Sequence, residues 1–107
     1  MSPMMIHSTL ATSLLSAAFA LPVLAQDKDE AGRKLFTKTA VPACAVCHTL
    51  KNAGATGEIG PSLDELKPDA SRVEKAVRNG IGQMPAFKSL SDEDVKALAA
   101  YVERVTR

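Results

Sequence analysis

The two cysteines of this 107-residue chain lie three positions apart, and a histidine follows the second directly. They are Cys44, Cys47 and His48, within the segment PACAVCHTLK at residues 42–51. Thiolates and imidazoles bind metals, and thiols also exchange disulfides or form thioethers. At this spacing the three side chains share about one turn of chain, so they can act together on one ion or one cofactor.

The first 25 residues have the pattern of a secretory signal peptide. Residues 10–25 are apolar or small throughout, end in small residues at the positions that a signal peptidase reads, and precede a charged run. A bilayer span needs about 20 apolar residues, which is more than this segment offers. Although no lysine or arginine precedes the segment, we predict cleavage after Ala25, which leaves one exported, periplasmic domain of residues 26–107 without a membrane span.

The charged residues all lie beyond the predicted leader, as 13 lysines and arginines against 12 acids. This mixed, near-neutral balance gives no basis for binding nucleic acid or a membrane surface. A domain this small has little core of its own and often depends on a disulfide, a metal or a cofactor. Without the leader, His48 is its one histidine and Met84 its one methionine.

Three uses compete for the thiol and imidazole cluster. A zinc site needs four nitrogen or sulfur ligands, and the domain offers three before it borrows a carboxylate. A thioredoxin-like redox pair needs C-x-x-C at a helix start in a βαβ setting, and the sequence predicts no strand. C-x-x-C-H in an exported chain is the attachment sequence for haem c, which makes covalent haem the favoured interpretation. The thiols of Cys44 and Cys47 would add to the porphyrin vinyl groups, and His48 would bind the iron.

A sixth iron ligand is available in the segment NGIGQMPAF. Pro85 keeps Met84 out of a helix, and Gly80 and Gly82 give the segment the freedom to lie along a cofactor. The alternative is that Met84 only fills a gap in the core, as most methionines do. With His48 and Met84 on the two faces of the iron, oxygen and peroxide would find no open position. This ligand pair favours electron transfer over catalysis.

The spacing of apolar residues predicts an all-α domain. The first helix should begin near Asp27 or Asp29 and end before Pro42. A short helix should follow Pro61. No stretch alternates well enough to predict a strand.

Two further helices complete the predicted frame. Ser71 and Glu74 have the spacing of a capping box for the third helix, which Asn79-Gly80 should end. Ser91 should cap the last helix. The apolar stripe of that helix consists of Val95, Leu98, Val102 and Val105, with Tyr101 beside it.

In these features the chain resembles the small bacterial class I c-type cytochromes over nearly all of residues 26–107. The matching positions are the C-A-V-C-H motif, Gly60-Pro61, Met84-Pro85, and Gly32 and Phe36 with Leu98 and Tyr101 in the end helices. The resemblance implies about four helices around one covalently bound haem c, with Cys44 and Cys47 as anchors and His48 and Met84 as axial ligands.

The resemblance also implies two positioning roles. The Pro61 carbonyl would accept a hydrogen bond from the imidazole of His48 and so fix its orientation. Gly32 would let the first and last helices cross closely, giving Tyr101 and Leu98 room. Some relatives use a tryptophan to hold a haem propionate, and this chain has none. Candidates to replace it are Lys51, Arg78, Asn79 and Gln83.

A narrower resemblance concerns residues 42–69 and 76–87, which are similar to the haem subunit of bacterial sulfite dehydrogenases. In these sulfite:cytochrome c oxidoreductases a molybdenum-cofactor subunit oxidises sulfite and passes electrons singly to the cytochrome. The resemblance implies an electron-transfer subunit with no catalytic residue of its own, paired in a heterodimer and passing electrons to another cytochrome c or an oxidase. The alternatives are a free soluble carrier between respiratory complexes, a thiol-disulfide protein, and a binding module without a cofactor.

Overall fold

The computed structural model describes residues 2–5, 10–17 and 23–107. Five α-helices occur in these residues: α1 (Val23–Lys34), α2 (Cys44–Cys47), α3 (Leu63–Leu66), α4 (Ala70–Asn79) and α5 (Asp92–Val105). A π-helical turn at Leu35–Thr39 continues α1. The short strands β1 (Thr49–Leu50) and β2 (Ala55–Thr56) pair antiparallel. The predicted all-α class is confirmed as a mostly helical fold, with five α-helices in the described residues rather than about four and a two-stranded sheet that was not predicted.

The predicted signal peptide, residues 1–25, falls partly on residues 1, 6–9 and 18–22, which lie outside the described residues. Its cleavage stays a prediction. In the part of the chain that the structure describes, no helix is long and apolar enough to cross a membrane.

The first helix begins earlier than predicted, at Val23 rather than near Asp27. Leucine and alanine are good helix formers, and no glycine or proline separates Leu24 and Ala25 from the acidic run, so the helix continues through it. At its other end the π-helical turn gives way to extended backbone at Ala40, before Pro42 as predicted.

Two details of the other elements were predicted wrongly. Asp69 caps α4, its carboxylate accepting a hydrogen bond from the Arg72 amide at 2.8 Å, so Ser71 and Glu74 form no capping box. The two-residue strands were missed because they are too short to show alternation. Gly54, at φ 62°, lies in the left-handed region and turns the chain between them.

The last helix follows the prediction closely. Ser91 caps α5 by accepting a hydrogen bond from the Asp94 amide at 3.0 Å. Its apolar stripe packs into the core, with Val105 at the edge. The largest side chains buried there are Phe36, Leu50, Val95, Leu98, Tyr101 and Val102.

Helices α1 and α5 cross at Gly32. A Cβ atom on this residue would overlap the ring of Tyr101, which is fully buried. A glycine inside a helix costs roughly 1 kcal/mol relative to alanine, and the close approach of the Tyr101 ring explains why the chain tolerates that cost.

The Tyr101 hydroxyl ties α5 to the hairpin that follows His48. It donates to the Asn52 side-chain oxygen at 2.7 Å, and the Arg33 guanidinium donates to the same oxygen at 3.2 Å. Arg33 also donates to the Asn52 carbonyl at 3.1 Å. Helices α1 and α5 therefore hold this hairpin in place through one asparagine.

We expect Tyr101→Phe to lower the free energy of unfolding by about 1 kcal/mol, the usual net value of one hydrogen bond. Burial raises the pKa of Tyr101 above its ordinary value near 10. A raised pKa in the folded state stabilises the protein below the unfolded pKa, and the contribution is lost as pH rises. Guanidinium titrations should thus show that the wild type is more stable than Tyr101→Phe, by a difference in free energy of unfolding that narrows above about pH 10. An advantage that is absent, or constant with pH, would contradict this role.

Candidate functional site

A cavity of about 680 Å³ opens between the helices, a volume within the roughly 300–1,000 Å³ range of ligand and cofactor sites. Cys44, Cys47, His48 and Met84 all line it, so the structure brings together the four side chains that the sequence singled out. Pro61 lines it as well. The back of the cavity is formed by core side chains, namely Phe36, Val77, Phe87, Leu98 and Val102.

The two thiols are those of the first and last residues of α2, and they form no disulfide. Burial raises the pKa of Cys44 to about 11, and the neighbouring Cys47 adds to the effect. Redox-active cysteines of the C-x-x-C type have the opposite property, a lowered pKa that supplies the reactive thiolate. This environment therefore argues against a thiol-disulfide protein.

The imidazole of His48 is held in one orientation. Its Nδ1 lies 2.7 Å from the Pro61 carbonyl oxygen, the contact that the family resemblance implied. A carbonyl accepts only, so Nδ1 carries the proton and Nε2 is left with a free lone pair for a metal. The Gly60 amide donates to the Cys47 carbonyl at 2.7 Å, which ties the Pro61 segment to α2.

Two glycines allow this segment to approach so closely. A Cβ on Gly60 would overlap the His48 ring, and one on Gly57 would overlap the carbonyl oxygens of Ala45 and Val46. Sequence reasoning missed both contacts. The available signal was the presence of two glycines just ahead of Pro61, but their partners, on α2 and at His48 directly after it, become evident only in the fold.

The Met84 segment forms a tight turn between α4 and α5. Ile81 and Met84 exchange two backbone hydrogen bonds, at 3.0 and 2.9 Å. Gly80 and Gly82 have φ values of 70° and 54°, a positive range that favours glycine. The Phe87 amide donates to the Val77 carbonyl at 2.8 Å, which fixes the turn against α4.

The lining residues fit a covalently attached haem. Most are apolar and none is acidic. The groups among them that could bind iron or attach to a porphyrin are an oriented imidazole, a thioether and two thiols. A histidine and a methionine are the axial ligands of cytochromes c, and two thiols of C-x-x-C-H form their attachment points. In the described residues no group of three or more His, Cys, Asp and Glu side chains is placed to hold a metal ion.

A mostly helical fold of this size, built around a C-x-x-C-H segment and an apolar cavity, defines the class of small c-type cytochromes. The family model described as "Cytochrome C oxidase, cbb3-type, subunit III" matches residues 27–102. The chain belongs to this family, and it is an electron carrier of the monohaem c-type class.

Two relatives illustrate the likeness. The crystal structure of the c-type cytochrome SorU from Sinorhizobium meliloti superposes with a TM-score of 0.72 at 56% identity, covering 76% of this chain and 93% of that one. Cytochrome c6 of Cyanidioschyzon merolae is 29% identical over 98 residues, covering 88% of this chain and 90% of that protein.

Proposed function

We propose that the chain is a periplasmic cytochrome c that carries one covalent haem c and serves as the electron-accepting subunit of a sulfite dehydrogenase. Cys44 and Cys47 would hold the haem through thioethers, and His48 and Met84 would bind the iron. The observation that carries the haem assignment is that both thiols, the oriented imidazole and the thioether line one cavity. The bound haem would supply a centre that accepts and releases single electrons.

Each lining group has a definable part in that chemistry. The Pro61 carbonyl keeps the proton of His48 on Nδ1, so the lone pair of Nε2 is available to the iron. A neutral thioether opposite an imidazole stabilises ferrous over ferric iron, so Met84 raises the reduction potential. The apolar walls act in the same direction, because they exclude the water that would stabilise the extra charge of the ferric state.

The same ligand set accounts for the absence of a catalytic role in the proposal. If His48 and Met84 both bind the iron, oxygen, peroxide and sulfite would find no open position there. The chain therefore passes electrons without transforming a substrate. Sulfite oxidation belongs to the proposed molybdenum-cofactor subunit, and a downstream cytochrome c or oxidase accepts the electrons.

The assignment to a sulfite dehydrogenase rests on similarity. Residues 42–69 and 76–87, which form the attachment side and the Met84 side of the cavity, resemble the haem subunit of these enzymes. The 56% identity with SorU supports a specialised relationship within the c-type cytochromes. The alternative is a free soluble carrier between respiratory complexes, which would use the same haem site.

Tagging the chain at its carboxyl terminus in its native host tests both levels of the proposal. We expect the purified protein to lack residues 1–25, to give a pyridine haemochrome spectrum with haem that acid acetone does not extract, and to bring with it a molybdenum-containing protein. Sulfite should then reduce the haem of the complex. A haem protein that purifies alone, and that sulfite does not reduce in periplasmic extract, would support the free carrier instead. A colourless protein would contradict the whole proposal.

A further inference from the structure

Two positively charged side chains, those of Arg72 and Lys75, line a cavity whose wall is otherwise uncharged. Among the described residues that line it, Arg72 and Lys75 are the two charged side chains, and the other titratable groups are Cys44, Cys47 and His48. Both cations belong to α4, three positions apart, so they project from one face of this helix. Both are exposed, which places them on the rim of the cavity.

Neither cation forms an ion pair with another described residue. In the described part of the chain, the ion pairs involve Arg78, Lys96, Arg104 and Arg107, and no carboxylate lies within pairing distance of Arg72 or Lys75. The carboxylate of Asp69 is occupied by the Arg72 amide rather than by its guanidinium. Two unpaired like charges three apart on a helix repel each other, so the arrangement favours an anionic ligand.

The candidates from the sequence fit this role less well. Arg78 is paired with Glu74 and Asp92, and it does not line the cavity. Lys51 does not line it either. Asn79 and Gln83 do, but as neutral amides they cannot neutralise an anion.

The walls beside the cations are apolar. Leu63, Leu66 and Pro68 lead into α4, and Val73 lies between the two charged residues. A charge pair beside such surface is screened less than one in open water, so it contributes more to binding and orientation.

We propose that Arg72 and Lys75 bind the carboxylate side chains of the haem, an inference that rests on the proposed function. A haem has propionate groups at one side of the macrocycle and the vinyl-derived positions elsewhere, so the cysteines of α2 and the cations of α4 hold different parts of it. The guanidinium of Arg72 suits a carboxylate because it can donate two parallel hydrogen bonds. Lys75 adds a second donor with a flexible reach.

The test compares Arg72→Gln/Lys75→Gln with Lys34→Gln/Lys38→Gln, a control that removes equal charge from exposed positions outside the cavity lining. All proteins are haem-loaded, and the midpoint potential is measured from about pH 4 to about pH 8, where carboxyl groups with a raised pKa titrate. Without its cations a propionate is harder to ionise, and we expect its apparent pKa to rise by about 1 unit or more relative to the control. The midpoint potential of the Arg72→Gln/Lys75→Gln variant should therefore fall as the pH rises through this pKa, whereas the potential of the control should change less over the same range. Arg72→Lys/Lys75→Arg, which keeps both charges, should behave as the wild type does.

The outcomes separate this inference from the function on which it rests. A wild-type chain without covalent haem contradicts the proposed function itself. A loaded double variant whose potential follows that of the control at every pH overturns the role of Arg72 and Lys75 and leaves the haem assignment standing. If the double variant does not load, Arg72→Gln and Lys75→Gln are measured singly, and wild-type behaviour of both overturns the inference.

Discussion

Replacing Cys44 and Cys47 together with serine is expected to abolish covalent haem and to leave a chain without stable helical structure. Serine keeps the size of the side chain but cannot form a thioether. Without the haem, the apolar lining of the 680 Å³ cavity would be left in contact with water or without packing partners, and either costs stability. Domains of this kind are stable by only about 5–15 kcal/mol, and a domain this small has little other core, so we expect the loss to unfold it.

Three measurements check this expectation. The double variant should give no covalent haem in a pyridine haemochrome assay, and its far-UV circular dichroism should fall well below that of the wild type. Each single variant, Cys44→Ser or Cys47→Ser, should retain one thioether and show a shifted haemochrome band. Ala45→Ser is the matched control, since it places a serine in α2 without touching either thiol. Covalent haem in the double variant, or full helicity without any haem, would refute the assignment.

The local features of the site could be predicted from sequence because their chemistry is local. The C-x-x-C-H spacing is determined within five residues, and Ser91 finds its hydrogen-bond partner three positions away. The turn around Met84 is similar: glycines before it and a proline after it restrict the backbone whatever packs against it. In each case the residues that act on one another are close in the chain.

The features that were missed depend on contacts between distant residues. Asp69 and Ser71 are both acceptable helix caps, and the earlier start is supported by a distant contact, in which the Ala70 amide donates to the Glu103 carboxylate at 2.6 Å. The π-helical turn at Leu35–Thr39, which contains the buried Phe36, has no signature in the spacing of apolar residues. Gly60 against the His48 ring joins positions that only the fold brings together.

The charged residues that contact the cavity also could not be predicted from their positions in the sequence. Arg78, Lys51 and the amides were candidates for the haem carboxylates because they flank the motifs in sequence. Flanking a motif does not place a side chain on the cavity, and Arg78 is held away by Glu74 and Asp92. Lys96 and Arg78, as hydrogen-bond donors, lower the pKa of Asp92, so this carboxylate stays ionised and the Arg78 pair persists at neutral pH.

Removing the thioether of Met84 is expected to lower the reduction potential by on the order of 0.1 V or more, within the roughly 0.8 V that axial ligands span in haem proteins. The informative variant is Met84→Leu. Leucine and methionine have similar volumes, and such exchanges usually cost less than about 1.5 kcal/mol, so packing is kept while the ligand is lost. Met84→Ala removes both the ligand and the packing of the side chain, so it should destabilise the protein further.

Measurements on Met84→Leu can therefore separate ligation from packing. If Met84 binds the iron, the leucine variant should lose the ferric charge-transfer absorption of a thioether ligand, and its reduced form should bind carbon monoxide, which the wild type should not. Gln83→Ala is the matched control, because Gln83 lines the same cavity one residue earlier and lacks sulfur. A leucine variant with the spectrum and potential of the wild type would mean that Met84 only fills space, and the sixth ligand would then have to come from a residue outside this turn.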